Sequence, residues 1–269
     1  MMTRLEKVMA DLKAAGKKGI FIYITAGAPD MASTIEAVKR AEKAGADVIE
    51  LGLPFSDPMA DGPVIQNASV AALKAGMTTK KELELVREIR RFSQVPLVGM
   101  GYINTMLHYS FEKFVSDFKA AGLDGLIIPD VPHEESGEMR RICQKHGLHL
   151  AEFITPGTTE ARMKDTCQDA SGFIYCVSNN GVTGVKKIDY SAIGRVCSAA
   201  RRYTKTPLAV GFGIGSPEAA VEAAAHADAV IIGSAVVKRL QENQMDEAMQ
   251  LIASIRQALD AIAAKTPCQ

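Results

Sequence analysis

The chain has 269 residues, with 31 basic and 31 acidic side chains and no net formal charge. That balance argues against a nucleic-acid partner, which would want a basic face, and no apolar run is long enough to span a bilayer. Charges scattered through the first turns exclude a secretory signal, and five cysteines with no CxxC pair (Cys143, Cys167, Cys176, Cys197 and Cys268) read as reduced thiols of a cytoplasmic protein.

The N-terminus reads as a short amphipathic helix. Apolar runs then recur at 20–27, 47–54, 96–102, 125–130, 149–156, 172–178, 207–214 and 229–235, each bounded by Gly or Pro. They are apolar on both faces, as parallel strands covered by helices must be. Helical patterns separate them at 31–44, 80–92, 111–121, 134–146, 160–169, 190–203 and 217–225, and 245–263 closes the chain. Ser216-Pro217 is a helix start, with a capping hydroxyl followed by Pro at the first helical position. Eight strands alternating with helices predict a (β/α)8 TIM barrel with an extra N-terminal helix. An open doubly wound sheet is the alternative, but it would need unequal edge strands. No linker divides residues 1–269, so a single domain is expected.

Barrel enzymes carry their chemistry at the C-terminal strand ends. At the second of these ends the sequence runs IELGLPFSDPMADGP, placing Glu50 inside an apolar strand and Asp61 on the loop that follows. A carboxylate in an apolar strand is costly unless it has a partner or a task, and two carboxylates in contrasting settings can divide acid and base roles. A structural salt bridge is the plainer reading. Strand alternation puts Val48, Glu50 and Gly52 on one face, inward if Ile49 and Leu51 face the helices. Met100 and Tyr102 share a face by the same parity, as do Tyr175 and Val177.

Three Gly-rich turns follow late strands, at 181–184, 211–216 and 233–235. They are simple turns or, taken together at those strand ends, a phosphate cradle, with Ser234 capping a short helix over 235–241. The spacing in GFGIG is wrong for a dinucleotide fingerprint. His146 and His149 form an HxxH that straddles a helix end, a poor metal site. His133 reads as a surface or interface residue. Asp130 is placed to cap the helix after it, or to support the site from behind. The polar stretch 178–184 is either a mobile surface loop or a lid.

IELGLPFSDPMADGPVIQ, PDVPHEES, SNNGVTG and GFGIGSPE occur in this order at barrel-consistent spacing. Together they resemble the tryptophan synthase alpha chain family, over about residues 20–237. The resemblance implies cleavage of indole-3-glycerol phosphate to indole and glyceraldehyde 3-phosphate, with no cofactor in this chain. It makes Glu50 the catalytic acid/base, Asp61 the carboxylate facing the indole nitrogen and Tyr175 the phenol near the reacting centre. Gly184, Gly213, Gly233 and Ser234 would cradle phosphate. Tyr23, Met100 and Phe212 would wall the indole pocket, with Tyr102 beside them, and Thr183 would order Asp61 on closure. The loop bearing Pro54 and Asp57 would meet a pyridoxal phosphate-dependent beta chain in an alpha2-beta2 hetero-tetramer.

Ala28, Thr105, the pair Asn179 and Asn180, and Gly215 depart from the family pattern, bearing on lid behaviour and phosphate affinity rather than on the acid/base pair. The alternatives are a stand-alone indole-releasing lyase, a regulatory subunit that only activates a beta chain, and another phosphosugar barrel. An epimerase of that last kind would want metal-ligating His and Asp at strand ends.

Overall fold

The computed structural model describes residues 2–177 and 190–263. Its strands are β1 (Gly19–Thr25), β2 (Val48–Gly52), β3 (Leu97–Met100), β4 (Gly125–Ile127), β5 (His149–Leu150), β6 (Glu152–Ile154), β7 (Ile174–Val177), β8 (Leu208–Gly211) and β9 (Ala229–Ile232). All pair in parallel, in the spatial order β5-β4-β3-β2-β1-β9-β8-β7-β6. β5 and β6 are the two halves of the predicted run 149–156. β5 pairs with β4 and β6 pairs with β7, so one interrupted strand closes the ring. The break falls at Ala151, whose N–H still reaches the Leu126 carbonyl at 2.9 Å. The TIM barrel expected from the alternation is therefore present, with its fifth strand divided between two neighbours.

The helices are α1 (Arg4–Ala14), α2 (Met31–Ala44), α3 (Pro63–Lys74), α4 (Thr79–Arg90), α5 (Ile103–Tyr109), α6 (Phe111–Ala121), α7 (Gly137–His146), α8 (Glu160–Asp169), α9 (Tyr190–Ala200), α10 (Pro217–Ala224), α11 (Ser234–Gln241) and α12 (Met245–Ala263). Local chemistry explains their starts. Thr3 and Glu6 form a reciprocal capping box on α1. Asp30 accepts from the Ser33 N–H at 2.7 Å to start α2, and Ser216 caps α10 with Pro217 in its first turn. The sequence reading did not pick out α3 and α5. α3 has no side-chain cap, and α5 is only 7 residues long, too short for periodicity to register.

Two apolar layers hold the barrel. Ile20, Ile22, Ile24, Ile49 and Leu51 face the helices, while Phe21, Val48, Val98, Ile127 and Phe173 fill the interior. Phe21 and Phe173 meet edge to face, with centroids 5.0 Å apart. Leu5 and Met9 of α1 belong to the interior layer as well. The N-terminal helix therefore plugs the end of the barrel where the strands begin. Beside the plug, buried Asp124 accepts from Arg4 at 2.8 Å, from Arg90 at 2.7 Å and from the Leu97 N–H at 2.9 Å. With that end sealed, polar groups and glycines collect at the other. No helix among the described residues is long and apolar enough to cross a membrane.

Candidate active site

Glu50 sits in β2 opposite Tyr23 of β1 and Val98 of β3. Its neighbours in parity belong to the interior layer and Ile49 and Leu51 to the outer one, so the carboxyl points into the barrel. It is 1% exposed, and its Oε2 has no hydrogen-bond partner among the described residues. Burial first, and then the nearby charge of Asp61, push its acidity up to about 8. An uncompensated buried carboxyl of this kind is held as the neutral acid at pH 7.

Asp61 reaches the same mouth from the loop after β2. Its N–H bonds the Pro58 carbonyl at 3.0 Å, and its own carbonyl accepts from Gln66 of α3 at 2.8 Å, so the loop is folded back onto the helix that follows it. The Tyr102 hydroxyl donates to Asp61 Oδ2 at 3.0 Å and accepts from the Ala60 N–H at 3.0 Å. Burial pushes the Asp61 carboxyl up to about 6, and the Tyr102 hydrogen bond opposes that rise. The two acids thus differ in environment: one buried with an oxygen unpartnered among the described residues, the other gripped by a phenol.

Tyr175 projects from β7, stacked on Phe153 at 5.4 Å and edge-on to Phe212 at 6.1 Å. Burial, Glu50, Asp61 and Tyr23 all raise its phenol well above the ordinary value, so it stays protonated. Tyr23 is held in the same way, by burial and then by Asp61. Room for these two phenols comes from Gly52 and Gly211, to which the sequence reading gave a face and a turn but not this role. A Cβ on Gly52 would collide with the Tyr23 hydroxyl, and one on Gly211 with the Tyr175 hydroxyl. Their signal lay in the chain all along, as glycines on the inward-facing parity at the C-terminal ends of their strands.

The turn after β8 places Phe212 at φ 77° and Gly213 at φ 73°. The left-handed region is unfavourable for an aromatic residue, and here it turns the Phe212 ring onto Tyr175. Gly215 in the same turn faces Ala235 in the first turn of α11. Ser234 does not cap that helix. Gly233 is the N-cap, without a side-chain hydrogen bond, and Ser234 is the first helical residue. The early N–H groups of α11 therefore lie beside the turn after β8. Met100, half-buried at the end of β3, touches both apolar layers. Thr183, Gly184 and the rest of the 178–184 stretch lie outside the described residues.

Other sequence expectations shift. Pro54 is buried rather than on an exposed rim, because Leu53 extends the ladder through its N–H to the Met100 carbonyl at 2.7 Å and draws Pro54 in. Asp57 is exposed and accepts from Ser56. Asp130 caps neither α7 nor the 3-10 turn ahead of it. It accepts from the Ile103 N–H at 3.1 Å and so caps α5, on the neighbouring strand's connection. His133 is no surface residue: its Nδ1 lies 3.0 Å from buried Glu152, which also accepts from Arg140 at 3.0 Å. His149 bonds Thr3 at 2.9 Å. No group of metal-ligating side chains is found among the described residues.

The family model for the tryptophan synthase alpha chain matches residues 9–265. The tryptophan synthase alpha chain of Geobacter sulfurreducens is 41% identical over 96% of this chain and 98% of its own length. That of Caldanaerobacter subterraneus subsp. tengcongensis is 40% identical, over 96% of this chain and 100% of its own. Among solved structures, tryptophan synthase subunit alpha from Legionella pneumophila superposes with TM-score 0.88 at 36% identity, covering 97% of this chain and 100% of that one. A structure of Mycobacterium tuberculosis tryptophan synthase gives 0.89 at 30% identity, covering 96% and 99%. With a family-model match over nearly its whole length, the chain belongs to the tryptophan synthase alpha chain family.

Proposed function

We propose that Glu50 and Asp61 divide the acid–base and electrostatic work of the family's reaction. The chain is a carbon–carbon lyase of tryptophan biosynthesis that cleaves indole-3-glycerol phosphate to indole and glyceraldehyde 3-phosphate. A retro-aldol step on an indole requires the aromatic ring to be broken first. A proton is added at the ring carbon that bears the side chain, and positive charge develops on the ring nitrogen. Glu50, kept neutral by its dry setting, donates that proton. Ionised Asp61 stabilises the charge on nitrogen. Glu50, now a carboxylate, takes the proton from the glycerol hydroxyl as the carbon–carbon bond breaks. Tyr175 is the phenol beside the reacting centre, and Tyr23, Met100, Tyr102 and Phe212 wall the indole.

The phosphate takes its hydrogen bonds from the backbone around Gly213, Gly233 and Ser234 at the start of α11, where N–H groups and the helix dipole favour an anion, and from Gly184. Thr183 orders Asp61. Residues 1–269 act as one barrel domain without a cofactor of its own. Indole is apolar and escapes readily, so a second protein must consume it. On this reading the consumer is a pyridoxal phosphate-dependent beta chain in the cytoplasm, docked in an alpha2-beta2 assembly at the mouth of the barrel. The loop carrying Pro54 and Asp57 meets it, biasing Asp61 toward its working position.

The observation that carries the reading is the buried Glu50 carboxyl at the mouth, whose Oε2 has no partner among the described residues. It also weighs against a subunit that only regulates, which would have no use for such a group. The test is to incubate the pure chain with indole-3-glycerol phosphate, with and without a beta chain, and measure indole. Slow cleavage accelerated by the beta chain is expected, with Asp57→Ala weakening the acceleration more than the basal rate. A fast isolated chain that a cognate beta chain neither binds nor accelerates would favour the stand-alone lyase. Anion density away from the turns at Gly213 and Gly233 in a phosphate-soaked crystal would overturn the cradle.

A further inference from the structure

Tyr102 makes two contacts that a pocket wall does not need. Its hydroxyl donates to Asp61 Oδ2 and accepts from the Ala60 N–H, both at 3.0 Å, bridging 41 and 42 residues of sequence. The phenol is 3% exposed, and its ring stacks on Phe55 with centroids 5.2 Å apart and planes at 23°. On the other side Tyr102 is the N-cap residue of α5, and the next N–H, that of Ile103, is tied to Asp130 on the loop after β4. The phenol is thus anchored to two barrel connections and grips a third, the loop that delivers Asp61.

We propose that Tyr102 is a positioning residue for the lyase reaction, its hydroxyl holding the Asp61 carboxylate and the peptide before it in the place and ionised form the substrate ring nitrogen requires. This rests on the reading that ionised Asp61 is needed in the reaction. Among the described residues, the titratable groups that face Asp61 are Glu50 from β2, Tyr23 from β1, Tyr175 from β7 and Tyr102 itself. None of the four is a cation. Burial raises the Asp61 pKa, and among the described residues the hydrogen bond from Tyr102 lowers it. A phenol donating to a carboxylate favours the charged form, so removing that single oxygen removes an opposition to burial.

The test is Tyr102→Phe, which keeps the ring and its stacking on Phe55. kcat and KM for indole-3-glycerol phosphate are measured across pH, together with the 13C titration of the Asp61 carboxyl in the free protein. The carboxyl titration and the acid limb of kcat should both move upward, by about one unit, for loss of a hydrogen bond to a charged group. kcat should then fall by about tenfold at pH 5 and by about twofold at pH 7, the deficit vanishing as pH rises further, with KM little changed. In an Asp61→Asn background the same substitution should have no further effect on kcat. An unmoved Asp61 titration, or a loss of kcat equal at every pH, would overturn the proposal. Asp61→Asn alone separates the two readings. Full kcat in that variant would sink the parent assignment, whereas its loss beside an unmoved titration in Tyr102→Phe would sink only the role given to Tyr102.

Discussion

The two ends of the barrel each bury a carboxylate, and the two are treated in opposite ways. Asp124, 1% exposed at the plugged end, is surrounded by donors: Arg4 from α1, Arg90 from α4 and the Leu97 backbone. Glu50, also 1% exposed, has an oxygen with no partner at all among the described residues. The fold satisfies the acid at the plugged end and leaves an oxygen of the acid at the mouth without a partner among the described residues, where the proposed reaction needs a transferable proton. A buried charge is tolerable only when paired; a buried acid without a pair is tolerable only when neutral.

The largest expected effect lies at the plugged end. Asp124→Ala strands Arg90 without its anion, and loss of one partner from a buried pair costs about 3–5 kcal/mol. Urea unfolding should show that loss, while the folded fraction cleaves substrate normally at low temperature. Loss of activity without loss of stability would erase the contrast between the ends.

Glu50→Gln should do the reverse. It keeps the shape and removes the proton, so cleavage should fall by at least ~100-fold, the usual scale for a general acid–base group. That is about 2.7 kcal/mol of barrier, with folding intact. Near-normal turnover in the well-folded variant would end the assignment. The wild-type pH profile of kcat sharpens the point. In the proposed mechanism the working form has Asp61 ionised and Glu50 protonated. Activity should therefore be lost as pH falls through about 6 and lost again as it rises through about 8. Asp61→Asn should lower kcat rather than raise KM, and it should move the basic limb downward, because its charge helps hold the Glu50 proton.

Gly52→Ala tests the space given to the mouth. The new methyl meets the Tyr23 hydroxyl, and a forced ring shift in a packed site costs about 1–3 kcal/mol. Activity should fall by about tenfold or more, and a crystal structure of the variant should show the Tyr23 ring displaced. An unmoved Tyr23 ring would mean that the clash lies elsewhere.

The smallest effect separates burial from catalysis. Glu82, in α4, is also buried with an unpartnered oxygen, and burial alone pushes it up to about 8, yet it lies in the helix layer. Its folded acidity lies above the unfolded value near 4.5. Stability is therefore full below that value, declines as pH rises through the window, and has lost this contribution above about 8. Glu82→Gln should raise the melting temperature by about 2–4 °C at pH 8, do little at pH 5, and leave cleavage unchanged at either pH.

Much of this was legible in the chain. The alternation of apolar runs with helical patterns is dictated by short-range sterics and burial, and it determined the barrel. Strand parity determined that Glu50 shares a face with Val48 and Gly52, because side chains alternate whatever the neighbours are. Ser216-Pro217 declared its helix start by local hydrogen bonding, and the motif around Glu50 and Asp61 carried the family. Tertiary structure alone decided the rest. α1 read as an amphipathic helix, yet nothing in its own residues said that Leu5 and Met9 would plug the barrel. Asp130 caps α5 rather than the helix that follows it, Tyr102 holds Asp61, and His133 joins Glu152 and Arg140. Gly52 and Gly211 make room for phenols on the adjacent strands β1 and β7. Each of these depends on which strand ends become neighbours when the ring closes. Local periodicity is set by residues three or four apart, whereas the contact between Tyr102 and Asp61 spans 41 and exists only once β2 and β3 lie side by side.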